Sequence, residues 1–455
     1  MEKDTIIAIS TPLGYGGLGI IRLSGNNSLR TLKRIFIPKS KNKEIPRRTP
    51  ILGNVYNFNQ KKCFEIAYAT YFPGPHSYTG EDIVEISAHG SPVVLEEIIR
   101  LGIMAGARLA RPGEFTLRAY LNGKFDILQA EAINTIIHAT SIKQARISFH
   151  QMEGSLSLKF KDIRQGIVRL LSEIEADIEF PDEDLRISKK SLNNNLQKLI
   201  FKVSRLKASY NLGKILTEGF SLAIAGRTNV GKSTLFNALL EKNRAIVTPH
   251  PGTTRDYLSE QIKIKDINFS LIDTAGLIKT SHPIEREGIK RGKKILEKVD
   301  GIVFVLDTSQ KADKEDFLFL DKFSYKKKIL VFNKTDLPGG MDLEKIRIKN
   351  PDLPWIEISA LKKINIEKLK DLIYTTFIPE FRENEEIVFH LRQKLMLEEI
   401  ENALIKGRQM LKNGVFAEIY VEEIRKTLPL IGQLTGEIHT EEILNNIFSR
   451  FCVGK

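Results

Sequence analysis

Only two cysteines occur in the 455 residues, Cys63 and Cys452, far apart and without a Cys-x-x-Cys spacing. That excludes a disulfide framework and a zinc knuckle. No uninterrupted apolar run is long enough to cross a bilayer, and the opening Met1-Glu2-Lys3-Asp4 is not an apolar targeting segment. The expectation is a soluble, cytoplasmic protein with no membrane contact. Internal repeats and low-complexity tracts are also lacking. Acidic residues are outnumbered by basic ones, 56 to 69, for a net charge of +13. An anionic partner such as nucleic acid fits that excess, although lysines scattered over polar faces produce it equally well. A chain of this length has room for about three domains of ordinary size.

What is present is an ordered set of short polar motifs. Gly226-Arg227-Thr228-Asn229-Val230-Gly231-Lys232-Ser233 has the form of a phosphate loop, with backbone N–H groups to cradle phosphates, Lys232 for the terminal phosphates and Ser233 for magnesium. Alone, such a loop leaves ATP and GTP unresolved. Asp273-Thr274-Ala275-Gly276 and then Asn333-Lys334-Thr335-Asp336 come later in the chain. The last of these breaks the tie. Guanine offers an N1–H and an exocyclic amine that one carboxylate, Asp336, accepts together, whereas adenine has an acceptor at N1. Asn333 suits the N7 and O6 edge of the purine, and the stem of Lys334 can lie over its ring.

Each motif ends an apolar run of strand character: Ser221 to Ala225, Phe269 to Ile272, and Ile329 to Phe332, with Ile302 to Leu306 as a further strand. Lys232 to Leu240 reads as the helix after the loop. The pattern predicts a mostly parallel sheet with its ligand at the carboxyl edge. Up to about residue 120 the sequence reads as short strands and turns punctuated by Pro and Gly. From Leu156, apolar residues recur every three or four positions through Phe160, Ile163, Ile167, Leu170, Ile174 and Ile178, a stripe on a long helix that Phe180-Pro181-Asp182 stops. Leu391 to the end is again helical in pattern. A helical domain built from both sides of an inserted nucleotide domain accounts for this order.

Two features bear on mechanism. Hydrolysing small GTPases commonly place a Gln after the Asp-x-x-Gly motif to orient the attacking water, and here that position is Leu277. Catalytic help must come from elsewhere. Pro251-Gly252-Thr253-Thr254-Arg255-Asp256 lies where a switch loop meets magnesium and the γ-phosphate, and Thr254 is the candidate metal ligand. Near the amino terminus, Gly14-Tyr15-Gly16-Gly17-Leu18-Gly19 is formally a G-x-G-x-x-G. The next residues, Ile20 to Gly25, read as a strand, so it is a glycine loop between two strands and not a dinucleotide fingerprint. Phe72-Pro73-Gly74-Pro75-His76-Ser77-Tyr78-Thr79-Gly80-Glu81-Asp82 is dense in aromatic, hydroxyl and acidic groups. It reads either as a small-molecule site or as a rigid structural turn.

Taken together, the chain resembles the MnmE (TrmE) GTPases, which modify the wobble uridine of certain tRNAs. The likeness runs from Gly14-x-Gly16-Gly17 and Ser77 to Asp82, through Arg111-Pro112-Gly113-Glu114-Phe115 and Phe180-Pro181-Asp182-Glu183, to Phe451-Cys452-Val453-Gly454-Lys455. It implies a multidomain α+β protein. Residues 1–121 would form a folate-binding and dimerising α/β domain, residues 122–217 with 380–455 a discontinuous all-α helical domain, and residues 218–379 an inserted Ras-like P-loop GTPase domain. The resemblance further implies a homodimer that acts with an FAD-containing MnmG (GidA) partner. That assembly would place an aminomethyl or carboxymethylaminomethyl group on C5 of uridine 34, using 5-formyl-tetrahydrofolate or a related tetrahydrofolate together with glycine or ammonia. Folate contacts carried over fall on Arg22, Glu81, Lys124 and Lys455, with Cys452 a candidate catalytic residue facing that site.

For the nucleotide, the same likeness implies contacts from Asn229, Val230, Gly231, Lys232, Ser233 and Thr234, from Thr248, Thr253 and Thr254, and from Asp273, Thr274, Ala275 and Gly276. Asn333, Lys334, Asp336, Ser359 and Ala360 would contact the base. Ser233 and Thr254 would hold magnesium. A potassium ion held by Asn229, Thr248, His250 and Thr253 would stand beside the phosphates where other GTPases use an arginine finger, and Glu285 would orient water. Thr228 stands where the family commonly has Pro, and Ser359-Ala360-Leu361-Lys362-Lys363 lacks the usual Lys-Thr-Gly after Ser-Ala, which predicts a last base-contacting loop that closes differently. An RNA-binding GTPase that times ribosome assembly is the alternative reading. Against it stands the absence of an RNA-binding appendage such as a KH domain after the GTPase region.

Overall fold

The computed structural model describes residues 4–41, 43–179, 188–240, 259–273, 294, 296–380 and 386–454. The chain divides into two compact units, one of residues 1–137, 148–201 and 399–455, the other of 138–147 and 202–398.

In the first unit the amino-terminal strands β1 (Ile6–Ile9), β2 (Gly16–Ser24), β3 (Phe36–Pro38), β4 (Ile51–Asn57), β5 (Lys62–Phe72), β6 (Ile83–Gly90) and β7 (Arg108–Leu109) form one sheet in the order β3-β4-β5-β6-β2-β1-β7. Every pairing is antiparallel except β1 with β7. Of the glycine-rich segment, Gly14 and Tyr15 lie between β1 and β2, whereas Gly16 to Gly19 already belong to β2, so the strand starts earlier than Ile20. The region also holds three helices that the punctuation hid: α1 (Ser28–Ile35), α2 (Pro92–Met104) and α3 (Glu114–Leu121). Only α1 and α3 are short, at eight residues each; in α2 the spacing Leu95, Ile98, Leu101 is helical, and all three residues are buried.

The two-residue period of a strand separates the faces of this sheet. Ile7, Ile21 and Leu23 join the core with Leu32 and Ile35 of α1 and Leu95, Ile98 and Leu101 of α2. Ile6 and Ala8 point the other way and pack with Ala110 and Phe115, against which Tyr78 rests. Arg22, between Ile21 and Leu23, is therefore on the Phe115 side.

The same unit contains α4 (Ile127–Ile137) and the long helix α6 (Ser155–Glu179), which comes after α5 (Ile142–Met152) in the chain. The stripe predicted on α6 is buried at Leu156, Phe160, Ile163, Ile167, Leu170 and Ile174. Helices Ala417–Arg425 and Thr427–Thr435 pack on it. Each such side chain contributes about 1.5–3 kcal/mol on burial. Phe180 to Glu183 lie outside the described residues.

The helix α7 (Lys189–Glu218), which belongs to the second unit from Lys202 on, leads into β8 (Phe220–Ala225), followed by helix α8 (Lys232–Leu240). Strands β9 (Ser259–Ile264), β10 (Ile267–Asp273), β11 (Gly301–Asp307), β12 (Lys328–Asn333) and β13 (Trp355–Glu357) complete a sheet whose described order is β13-β12-β11-β8-β10-β9. All neighbours are parallel except β9 with β10. Both faces are covered: Leu235, Leu239, Leu369 and Ile373 lie in one core and Leu320, Phe323 and Ile346 in the other. That is why β11 and β12 are buried at every residue and were legible as unbroken apolar runs.

Candidate functional site

The carboxyl ends of β8, β10 and β12 bring the predicted nucleotide residues together. After Ala225 the chain turns through Gly226 to Gly231 into the first turn of α8, so Lys232, Ser233 and Thr234 stand at a helix amino terminus, where backbone N–H groups and the helix dipole favour an anion. Asn229, exposed, holds the left-handed φ of 63° that Asn tolerates better than most residues. Gly231 has φ 94°, and a Cβ there would fall 2.3 Å from Asn333 Nδ2. No side chain fits that position.

Lys232 is 5% exposed. Burial holds its ammonium below the usual lysine pKa, offset in part by Asp273. Its Nζ donates to the carbonyls of Gly226, at 2.9 Å, and Arg227. Ser233 Oγ donates to Asp273 Oδ2 at 3.2 Å, which sets two hard oxygen donors side by side, the type magnesium takes.

Asn333 ties three segments together. Its Nδ2 donates to Val230 O at 2.8 Å and its Oδ1 accepts from Ala360 N at 2.9 Å, with one amide hydrogen still to spare for a purine. The loop lacking Lys-Thr-Gly nevertheless closes on Asn333. Ser359 Oγ accepts from Lys362 N at 3.1 Å, and Ser359 and Ile364 exchange backbone hydrogen bonds of 3.0 and 3.3 Å. In that loop Lys363 takes φ 58°, a conformation that costs an ordinary side chain about 1–2 kcal/mol. Asp336 is exposed at the mouth of the loop. Thr248, His250, Thr253, Thr254, Thr274, Ala275, Gly276 and Glu285 lie outside the described residues.

Two contacts here were missed by the sequence reading. Arg227 Nε donates to Asp316 at 2.9 Å, and its Nη1 to Asp313 at 3.3 Å, so the phosphate loop is braced on helix Lys314–Lys322. Lys334 Nζ pairs with Asp307 at 2.6 Å. Burial, which alone would raise the Asp307 carboxyl, is outweighed by hydrogen bonds from Lys334 and Ser309, and its pKa lies below the usual aspartate range. The only sequence signal was an acid ending an apolar strand.

A second constellation lies on the Phe115 side of the amino-terminal sheet. Arg22 is set over the Tyr78 and Phe115 rings at 5.6 and 5.9 Å. Its Nε and Nη2 donate to Glu85 Oε1, the residue across from it on β6, at 2.9 and 2.7 Å, so a carboxylate ligand would meet an arginine already paired. Glu81 accepts from Ser24 Oγ at 2.7 Å and from Arg118 Nη1 at 3.1 Å, and retains acceptor capacity. Arg118, 4% exposed, also pairs with Asp4 at 2.6 Å and Glu114 at 3.1 Å. Lys124 Nζ donates to the Pro75 carbonyl, and Asn122 Nδ2 to Thr79 O at 2.7 Å. The 72–82 segment is thus tied down by Arg118, Asn122 and Lys124.

The other end of the chain reaches the same place. Gly454 O accepts from Ser10 Oγ at 3.0 Å and lies 3.5 Å from Arg22 Nη1, and Cys452 O accepts from Gly113 N at 3.3 Å. Gly454 has φ 94°, and a Cβ would fall 2.1 Å from Ile9 O, so only glycine lets the tail lie this close to β1. The Cys452 side chain is exposed. Lys455 lies outside the described residues.

A doubly covered, mostly parallel sheet with a phosphate loop between β8 and α8 and Asn-Lys-x-Asp after β12 defines the P-loop GTPase class. The comparisons narrow it. The profile described as "MnmE helical domain" matches residues 127–452, and "GTP-binding protein TrmE N-terminus" matches residues 5–124. The "tRNA modification GTPase MnmE" of Carboxydothermus hydrogenoformans is 37% identical over 461 residues, covering 100% of both chains. The protein of that name from Aquifex aeolicus is 38% identical over 455 residues, again 100% of each. Among solved structures, a variant of Aquifex aeolicus Era bound to GDP and AlF4− matches 41% of this chain and 66% of its own at 29% identity, with a TM-score of 0.29. The chain belongs to the MnmE family of tRNA modification GTPases. It is a GTP hydrolase of tRNA modification with an amino-terminal TrmE domain, a helical domain and a GTPase domain. Among the described residues no helix is long and apolar enough to cross a membrane.

Proposed function

We propose that this chain is a potassium-activated GTPase which, with an FAD-containing MnmG (GidA) partner, modifies C5 of the wobble uridine of certain tRNAs in the cytoplasm. Bound tetrahydrofolate, 5-formyl or related, would supply the one-carbon unit. Support comes above all from one juxtaposition: Gly454, near the carboxyl end, lies against β1 beside Arg22, with Tyr78 and Glu81 on the same face, so the tail that carries Cys452 reaches the part of the sheet that carries two of the candidate folate residues. The donor set suits the ligand, since Glu81 has acceptor capacity for a pterin edge, and Lys124 and Lys455 are cations for glutamate carboxylates. Cys452, whose side chain is exposed, would be the candidate catalytic residue at that site.

In the GTPase domain, Lys232 and the backbone of residues 229–234 would bind the phosphates, Ser233 with Thr254 would hold magnesium, and Asn229 with Thr248, His250 and Thr253 would hold potassium. Glu285 would orient the attacking water. Asn333, Lys334, Asp336, Ser359 and Ala360 would read the base. The family's dimerisation through the amino-terminal domain is part of the proposal.

Titration of 5-formyl-tetrahydrofolate into the full chain and into a chain ending at Phe451 tests the folate arm. The full chain should bind, and the shortened chain should bind more than tenfold more weakly, the loss expected when a charged partner worth about 1.5–3 kcal/mol is removed. An unchanged far-ultraviolet circular dichroism spectrum and melting curve serve as the check on folding. Equal affinities, or no binding by either chain, would contradict the proposal.

A further inference from the structure

Asp307 ends β11 in register with Asn333 at the end of β12 and is 2% exposed. Its side chain contacts its own turn at Ser309 and the Asn333-Lys334 turn. Its Oδ2 accepts from Lys334 Nζ at 2.6 Å, and its Oδ1 accepts from Ser309 N at 3.0 Å and Ser309 Oγ at 2.6 Å. The next residue, Thr308, donates both N and Oγ1 to Asn333 O at 2.9 Å each. Its own carbonyl accepts from Gly340 N at 2.8 Å and Met341 N at 3.1 Å. The segment 307–309 is therefore stitched to both ends of the loop that carries Lys334 and Asp336.

Lys334 is fixed twice. Its backbone is held at φ 70°, and its ammonium is held by a buried carboxylate, so the four methylenes between them are strung across a fixed path. The side chain remains partly exposed, at 28%, which leaves the stem open to a ligand while the charge is occupied. A free lysine side chain loses about 1.5–2 kcal/mol of rotamer entropy when it is ordered. Here that cost falls on folding and not on nucleotide binding, which is the physical content of preorganisation. The Lys334 ammonium is thus committed to Asp307, whereas that of Lys232 lies within the phosphate loop.

We propose that Asp307 is a positioning residue for guanine recognition: by holding the Lys334 ammonium it turns the lysine stem into a fixed apolar shelf for one face of the purine. The proposal rests on the reading of Asn333, Lys334 and Asp336 as the base site and adds to it the residue that sets the geometry of the lysine. A buried ion pair that merely stabilises the domain is the competing account, and the two differ in what they do to ligands lacking a base.

The test measures affinities of the full chain for GDP and for inorganic pyrophosphate, with steady-state GTP hydrolysis alongside. Asp307→Asn should weaken GDP about tenfold and raise the KM for GTP by a similar factor, with pyrophosphate affinity and kcat unchanged. Lys334→Met should weaken GDP as well, and the double variant should be no weaker than Lys334→Met alone, because the two residues act as one unit. Asp307→Glu, which keeps the carboxylate, is the rescue variant and should bind GDP more tightly than Asp307→Asn, whereas a misfolded Asp307→Asn would lose pyrophosphate affinity as well. Equal losses for pyrophosphate and GDP, an unchanged GDP affinity, or additive losses in the double variant would overturn the proposal. Failure of the underlying reading is separable. If Asp336→Asn leaves GTP preference intact, the base site itself is misassigned; if that variant shifts preference while Asp307→Asn does nothing, only the role of Asp307 falls.

Discussion

Asp336→Asn should lower guanine nucleotide affinity by about two orders of magnitude and create affinity for xanthosine nucleotides. The carboxylate accepts from both the N1–H and the exocyclic amine of guanine, and hydrogen bonds to a charged group are worth about 1.5–3 kcal/mol each. Losing roughly 3 kcal/mol is about a hundredfold. An Asn amide keeps one acceptor but turns a donor toward the amine, so the loss for guanine is a repulsion as well as an absence. Xanthine carries a carbonyl where guanine carries the amine, and the same amide satisfies it. Because Asp336 is exposed at the mouth of the loop, the substitution should leave the fold unchanged. Competition of GTP, XTP and ATP against a labelled nucleotide reads the result, and a variant that still prefers GTP would refute this account of base recognition.

Replacing potassium by sodium should slow GTP hydrolysis by at least about tenfold, without a matching change in GDP affinity. The argument starts from Leu277, which cannot orient water, and from a phosphate loop whose described residues offer one cation, Lys232, as a phosphate ligand while Arg227 is committed to Asp313 and Asp316. Charge that develops in the transition state then needs a second cation, and an arginine in that role is worth about 10³–10⁵ in rate. Asn229, with its exposed side chain and φ of 63° on the loop, is the described residue proposed to hold it. Asn229→Ala should remove the difference between the two salts by slowing the potassium rate to the sodium rate. Equal rates for the unaltered chain in both salts would dismiss the ion, and a salt preference that survives Asn229→Ala would dismiss only this ligand.

Much of the nucleotide domain was legible because parallel strands covered on both faces cannot hide: Ile302 to Leu306 and Ile329 to Phe332 carry no polar residue to break the run. The long helix α6 was legible for a related reason, since its buried residues from Leu156 to Ile174 recur every three or four positions, with Leu171 beside Leu170 the one addition and Ile178 only partly buried. The amino-terminal region was harder. Its strands show one buried face and one half-covered face, and α1 packs four buried residues between Arg30, Lys33 and Arg34 with too few turns for a period to emerge. Contacts across distant sequence were out of reach altogether. Arg22 and Glu81 were chosen as folate residues by resemblance, yet nothing local says that Arg22 lies across from Glu85 on the neighbouring strand or that Glu81 rests on Arg118. Asp307 was hidden in the same way, because a strand-ending acid acquires its meaning from the lysine 27 positions later that it holds.

Those long-range pairs also explain how one chain can separate two tasks. The Arg118 cluster joins Asp4, Glu81 and Glu114 in the amino-terminal part, whereas Asn333 joins Val230 to Ala360 in the nucleotide part. Variants in one cluster should therefore leave binding at the other intact, which makes the folate and nucleotide arms of the proposal testable one at a time.

The most direct test of the whole account is the mass of the nucleoside at the wobble position of tRNA from cells lacking this chain, with and without its restoration. Disappearance of a 5-aminomethyl-type or 5-carboxymethylaminomethyl-type uridine and its return on restoration is the predicted result; an unchanged nucleoside profile would contradict the account and turn attention to a GTPase that times assembly of an RNA particle.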